Sequence, residues 1–292
     1  MTTLQVLHAS AARLGESPLW HAATGQTLWL DNLACTLFRH DPARGTTVSR
    51  PVDVPNQLGA LIATTDPARL LVSGGNGISV IDLDGRVERH FADPEAGRDE
   101  IGYNDCKMDR FGRLWVGTHH LPETEPRGVL WCLERSGRAR LADAGFLVSN
   151  GPAVSPDGRL LYFNDSFGKR TYVYDLDPAD PMPRRRRVFV AHDDGVPDGM
   201  TVDADGGVWI AFWAGSRVAR YAPDGTLDCI IALPCPNVTS LAFVGAALDT
   251  LVITTAREGM SEEELAAHPE AGHVFTCAAG RTGLAEPLFD LG

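Results

Sequence analysis

The chain has 292 residues, 44% hydrophobic and 22% charged, which excludes wholesale disorder and allows a sizeable buried core. A formal charge of −12 excludes nucleic acid or an anionic membrane surface as the main partner. No apolar run approaches the roughly 20 residues of a spanning helix.

At the N-terminus, "MTTLQVLHASAARLGES" has neither a basic head nor a continuous apolar stretch, so no signal peptide is expected. The six cysteines (Cys35, Cys106, Cys132, Cys229, Cys235 and Cys277) show no zinc-type spacing, and the expectation is a cytoplasmic protein with reduced thiols. Thirty glycines and nineteen prolines along the whole length predict many turns and short strands.

In chain order, six similar units follow: "ATGQTLWLDN", "DPARLLVSG", "DRFGRLWVGT", "SPDGRLLYFND", "DADGGVWIAFW" and "GAALDTLVITT". Each is a polar turn leading into a short apolar strand. Their midpoints, Trp29, Leu71, Trp115, Tyr162, Trp209 and Val252, are spaced by 42, 44, 47, 47 and 43 residues. Six such copies, each with room for four strands, predict an all-β fold, a six-bladed β-propeller with four-stranded antiparallel blades. One domain spans residues 1–292, and "LQVLHA" near the start is expected to close the ring beside "HVFTCA" near the end. Between these, the basic run Arg184–Arg187 reads as a solvated loop. Only "MSEEELAAHPE" reads as helix, with Ser261 as its N-cap.

The chemistry lies ahead of the strands. Glu16, Asn104, Asn150 and Asp198 precede Trp29, Trp115, Tyr162 and Trp209 by 13, 11, 12 and 11 residues, equivalent positions in four blades. The stretch "GYNDCKMD" holding Asn104 has no period and reads as a loop, with Leu114–Val116 as the blade's channel-lining strand. Two carboxylates and two amides converging on a channel need a positive partner, and a hard divalent cation suits oxygen ligands. Turn formation by Asn-Gly and Asp-Gly is the alternative for each residue taken alone. His119 and His120 either reach the channel mouth or cap a strand end. No G-x-S-x-G, P-loop or G-x-G-x-x-G opening a helix is present, so serine-hydrolase, NTPase and dinucleotide chemistry have no support.

The motifs "LGESPLW", "YNDCKMDRFGRLWVGT", "SNGPAVSPDGRLLYFNDS", "VPDGMTVDADGGVWIAFW" and "LVITTAREGMSEEELAAHPEAGHVF" resemble the senescence-marker-protein/gluconolactonase (regucalcin-like) family, in its bacterial sugar-lactonase branch. The resemblance runs through nearly the whole chain. It implies a six-bladed propeller binding one divalent metal through Glu16, Asn150 and Asp198, with Asn104 beside metal and substrate. The family's substrate-contacting Arg matches Gly102, its motif Gly matches Cys106, and an acidic residue beyond the third strand unit falls at Pro122, with Glu123 next door.

The expectation is therefore metal-dependent opening of an aldonolactone to the aldonic acid. The cation (calcium, zinc, magnesium, manganese or iron(II)) polarises the carbonyl and Asp198 assists water attack. Asn104, Tyr103, His119 and Glu123 contact the substrate, with His120 helping to shape the pocket. Partners are a small-molecule lactone and at most further copies of the chain, as a monomer or small homo-oligomer. The alternatives are an esterase or phosphotriesterase on the same metal and a non-catalytic calcium-binding propeller.

Overall fold

The computed structural model describes residues 3–292 as six four-stranded antiparallel sheets arranged as the blades of a propeller. The innermost strands, in chain order, are Gly15–His21, Leu58–Ala63, Ile101–Met108, Ser149–Val154, Val196–Val202 and Val238–Val244; their blades are numbered 1 to 6 below. Blade 6 takes its outermost strand from the other end of the chain: Gln5–His8 pairs antiparallel with Val274–Ala278. This closure completes the four strands of blade 6 and joins the two ends of the ring. Among the described residues the one helix, Glu262–Ala267, starts at Ser261, whose side chain accepts from Glu264 N–H while the Glu264 carboxylate accepts from Ser261 N–H.

Two local expectations change. The turn-strand units around Trp29, Leu71, Trp115, Tyr162, Trp209 and Val252 are the second strands of the blades, not the channel-lining ones. "GYNDCKM" is itself the innermost strand of blade 3. It reads as irregular because its pairing register with Leu114–His120 shifts between Tyr103 and Cys106, so the two-residue alternation breaks there. The basic run Arg184–Arg187 likewise lies in a strand, Asp180–Ala191, at the outer edge of blade 4. Its charges are solvated and offset by Asp180, Asp175 and Asp143.

The same shift recurs in every blade, at Glu16/Leu19, Leu58/Leu61, Asn150/Ala153, Pro197/Met200 and Val238/Ser240. Each innermost strand carries one more residue than its partner across that interval. A bulge bends the strand and re-aims its side chains. Backbones also crowd together here. A Cβ at Gly59 would sit 2.6 Å from Asn104 O in the next blade. Only glycine allows that approach.

Between blades, the second-strand aromatics fill the core. Trp115 packs with Phe146, Phe163 and Tyr174, and Trp209 packs with Phe243 and Phe275. In blades 3 and 5 the indole is tied to an aspartate in the preceding turn: Trp115 Nε1 donates to Asp109 Oδ2 at 2.9 Å and Trp209 Nε1 to Asp203 Oδ2 at 2.8 Å. Each aspartate is also paired with a buried arginine, Arg113 or Arg220. Beyond the last strand, the C-terminal segment crosses the channel end where the innermost strands finish. It pairs Gly283 with Asp203, sets Glu286 against Lys107, and ends with Phe289 N–H donating to Ala63 O.

Asp109 accepts from Trp115 Nε1, Arg113 Nε and the backbone N–H groups of Phe111 and Arg113. Asp109→Ala strands a buried guanidinium and an indole N–H together, so a loss of about 3–5 kcal/mol in unfolding free energy is expected. Urea titration of the purified variant measures it, and a loss below about 1 kcal/mol contradicts the assignment.

Candidate active site

At the end of the channel where the innermost strands begin, a cleft of about 490 Å3 opens between the blades. The bulges deliver its floor: Glu16 from blade 1, Asn104 from blade 3, Asn150 from blade 4 and Asp198 from blade 5 all line it. Glu16 and Asp198 are only 5% and 7% exposed. Burial, then mutual repulsion and a third carboxylate, Asp105, push the Glu16 carboxyl well above the ordinary range. Asp198 is raised in the same way, by burial first and then by Asp105. Asp105 itself is pushed up to about 7 by burial, although its Oδ2 accepts from Gly151 N–H at 3.0 Å.

The two amides have defined orientations. Asn104 Nδ2 donates to Ser149 O and to Asn150 Oδ1, both at 2.7 Å. Asn150 Nδ2 donates to Ser166 Oγ at 2.9 Å, and Ser166 Oγ in turn donates to Pro197 O. Both NH2 groups are thus committed to protein, and the oxygens are the atoms left for a ligand. Behind Asp198, Asn164 Nδ2 donates to Asp198 O and Asn164 Oδ1 accepts from Thr171 Oγ1 at 2.6 Å. Because the Thr171 proton is used there, the 2.8 Å contact between Thr171 Oγ1 and His192 Nε2 requires Nε2–H on the imidazole. Burial pushes the His192 pKa down to about 4 and keeps that ring neutral.

Of the other residues expected in the site, His119 and Glu123 line the cleft. Glu123 is raised by burial and by Glu258 across the mouth. Tyr103 is not brought to the cleft. It points away from its neighbour Asn104, as alternate strand residues do, and its hydroxyl donates to Asp93 Oδ1 and accepts from Glu95 N–H. His120 does not line the cleft either; its Nδ1 lies 3.4 Å from Thr124 Oγ1.

Asp105, Asn32 and Gln57 escaped the sequence reading. Asp105 had a signal, since it follows Asn104 in a strand misread as loop. Asn32 had none: it lies one residue beyond the second strand of blade 1, whereas Asn164 lies within that of blade 4. Each donates Nδ2 to a carbonyl in the next blade's bulge, Gly59 O for Asn32 and Asp198 O for Asn164. Gln57 sits just outside its strand and had no signal.

All the protein donors on this floor are oxygen atoms, and no Lys or Arg is among the described residues lining the cleft. Among the described residues no group of three or more His, Cys, Asp or Glu is arranged to hold a metal. The floor set differs from such a group because half of it is amide.

Comparison with known proteins places the chain. Residues 14–257 match the SMP-30/gluconolactonase/LRE-like region. The 6-deoxy-6-sulfogluconolactonase of Pseudomonas putida is 35% identical over 98% of both chains. The L-arabinolactonase of Azospirillum brasilense is 32% identical, with 94% of this chain and 92% of that one aligned. Among solved structures, a calcium-binding regucalcin from Agrobacterium tumefaciens superposes with a TM-score of 0.93 at 27% identity, covering 99% of this chain and 97% of the other. The chain belongs to the SMP-30/gluconolactonase/LRE-like family of six-bladed propellers.

Proposed function

We propose that this chain hydrolyses a sugar lactone, with one divalent cation held by Glu16, Asn150 and Asp198 at the floor of the cleft. The observation that carries the reading is the pair of buried carboxylates with no cationic side chain beside them in the cleft. Such groups are costly to bury ionised unless a positive charge joins them. The donor chemistry fits a hard cation, because Asn150 Oδ1 accepts one bond from Asn104 Nδ2 and keeps a second lone pair, and the carboxylates add charge. The lactonase names of two relatives at 32–35% identity support the substrate class.

When bound, the ion supplies Lewis-acid polarisation of the ester carbonyl. The rest of the reaction falls to the chain. Asp198 is the carboxylate we assign to take the proton of the attacking water, since it lines the cleft with Asn104 and Asn150. The Asn164 bond to its backbone oxygen fixes where it stands. Asn104, tied to Ser149 and Asn150, orients the lactone through its free amide oxygen. The C-terminal segment crosses the far end of the channel, and we assign the cleft at the other end as the substrate entrance.

Chelation of the purified protein is expected to lower gluconolactone hydrolysis at least about 100-fold, with recovery on adding back a divalent cation. Asp198→Asn is expected to lower kcat by about 10²–10⁴ while leaving the fold intact by circular dichroism. Full activity after complete metal removal refutes the reading. Faster turnover of an aryl ester or phosphotriester than of any sugar lactone favours the esterase alternative.

The raised carboxyls also predict a pH dependence of stability. Their folded-state pKa values lie above the unfolded ones, so the folded state binds more protons. Metal-free protein therefore loses stability as pH rises from about 4 toward the value of about 7 at Asp105. Divalent cation at pH 7 is expected to restore it, with proton release on binding. Tm measured from pH 4 to 8, with and without metal, tests both signs.

A further inference from the structure

Along blades 1 to 3, which also carry Glu16 and Asn104, the cleft wall has unused hydrogen-bonding capacity. His119 is 6% exposed, and its Nδ1 is buried without a partner. Asn32, 1% exposed, spends Nδ2 on Gly59 O, while its Oδ1 has no partner. Both residues line the cleft. Buried polar atoms left unpaired by the protein are costly, and a site that pairs them on binding recovers that cost.

His119 and Gln57 are brought together at Gly102. It is paired directly across the strands with His119, so the two share a face of the sheet. With no side chain at 102, that volume is filled from around it. A Cβ there would lie 2.7 Å from Leu121 Cδ2, 3.0 Å from His119 Cε1 and 3.2 Å from Gln57 Nε2. An imidazole edge and a carboxamide thus meet over one glycine, backed by a leucine. Burial holds the His119 pKa down to about 4, so the ring is neutral and offers one donor and one acceptor.

We infer that Asn32, Gln57 and His119 form a hydroxyl-reading subsite, which takes the uncharged polyhydroxylated end of the lactone ring or its side chain. Neutral groups of mixed donor and acceptor character match hydroxyls, which both donate and accept. They do not match a sulfonate, phosphate or carboxylate, for which charge-assisted donors are the strong partners. The rest of the cleft reinforces the choice: Glu16 and Asp198 are taken up by the cation, and the two remaining acids that line it, Glu123 and Glu258, disfavour an anionic substituent. Arg13 pairs with Glu258 and does not line the cleft. The inference rests on the lactonase reading and narrows it to neutral sugar lactones. This distinguishes the chain from its 35%-identical relative named for a sulfonated substrate.

The test compares three lactones on the metal-loaded enzyme: gluconolactone, unsubstituted δ-valerolactone and 6-deoxy-6-sulfogluconolactone. Wild type is expected to prefer gluconolactone to the sulfonated ring at least about tenfold in kcat/KM. In Gln57→Leu and His119→Leu, the ratio of kcat/KM for gluconolactone over δ-valerolactone is expected to fall at least about tenfold, mainly through KM. His119→Gln, which keeps a donor and an acceptor, is expected to recover part of that ratio. If a Leu variant does not fold, His119→Gln and Gln57→Asn are read against wild type in the same ratio. An unchanged ratio in the folded variants overturns the subsite, and equal or better turnover of the sulfonated lactone overturns its neutrality. Absence of turnover on all three lactones overturns the lactonase reading itself, and the subsite with it.

Discussion

Six strands must run side by side around one axis, and their backbones come closer there than side chains allow. That constraint shapes the rest of the molecule. Gly59 and Gly199 sit where a Cβ would collide with the neighbouring blade, against Asn104 O and Ser240 respectively. The extra residue in every innermost strand relieves the same crowding by bending the strand. The bulge that makes the packing possible also breaks the alternation of side chains. It turns Asn104 and Asp198 toward the cleft instead of into the space between blades. Packing and site are consequences of one device.

The electrostatics follow from that placement. Convergence gathers Glu16, Asp105 and Asp198 into a buried region, where each raises the proton affinity of another or is raised by burial. The protein supplies no neutralising side chain within the cleft. What it does supply is a frame of hydrogen bonds that sets orientation: Ser166 on Asn150, Ser149 on Asn104, Asn164 behind Asp198. The aspartate–tryptophan ties in blades 3 and 5 hold the second strands against which these innermost strands are registered. The chain thus carries a destabilising charge cluster on a rigid ring, an arrangement common at functional sites.

Much of this was legible in the residues. The spacing from Trp29 to Val252 marked six blades because each second strand is fully buried and reads as a plain apolar run after a turn. Counting back from those runs reached Glu16, Asn104, Asn150 and Asp198, since the turn between first and second strands has nearly constant length. The reading failed where alternation failed. A bulged strand resembles a loop, so "GYNDCKM" carries no strand signature in sequence and neither does Asp105 within it. An exposed edge strand rich in arginine likewise has no apolar signature, so Arg184–Arg187 reads as a loop in sequence although it lies in Asp180–Ala191.

What the sequence determined by itself was the number of blades, the closure of the ring by its two ends, and which oxygen-bearing residues recur in register. These are periodic properties, and a period survives in one dimension. Only the tertiary structure decided which way each residue faces. Tyr103 turns into the core on the bond to Asp93, while its neighbour Asn104 reaches the cleft. His119 lines the cleft while His120 does not. Gln57, separated along the chain from His119, meets it over Gly102, and both line the same cleft as Asn32. Facing depends on where a bulge resets the strand, and space depends on what neighbouring blades put into it. Neither quantity is a property of any short stretch of sequence.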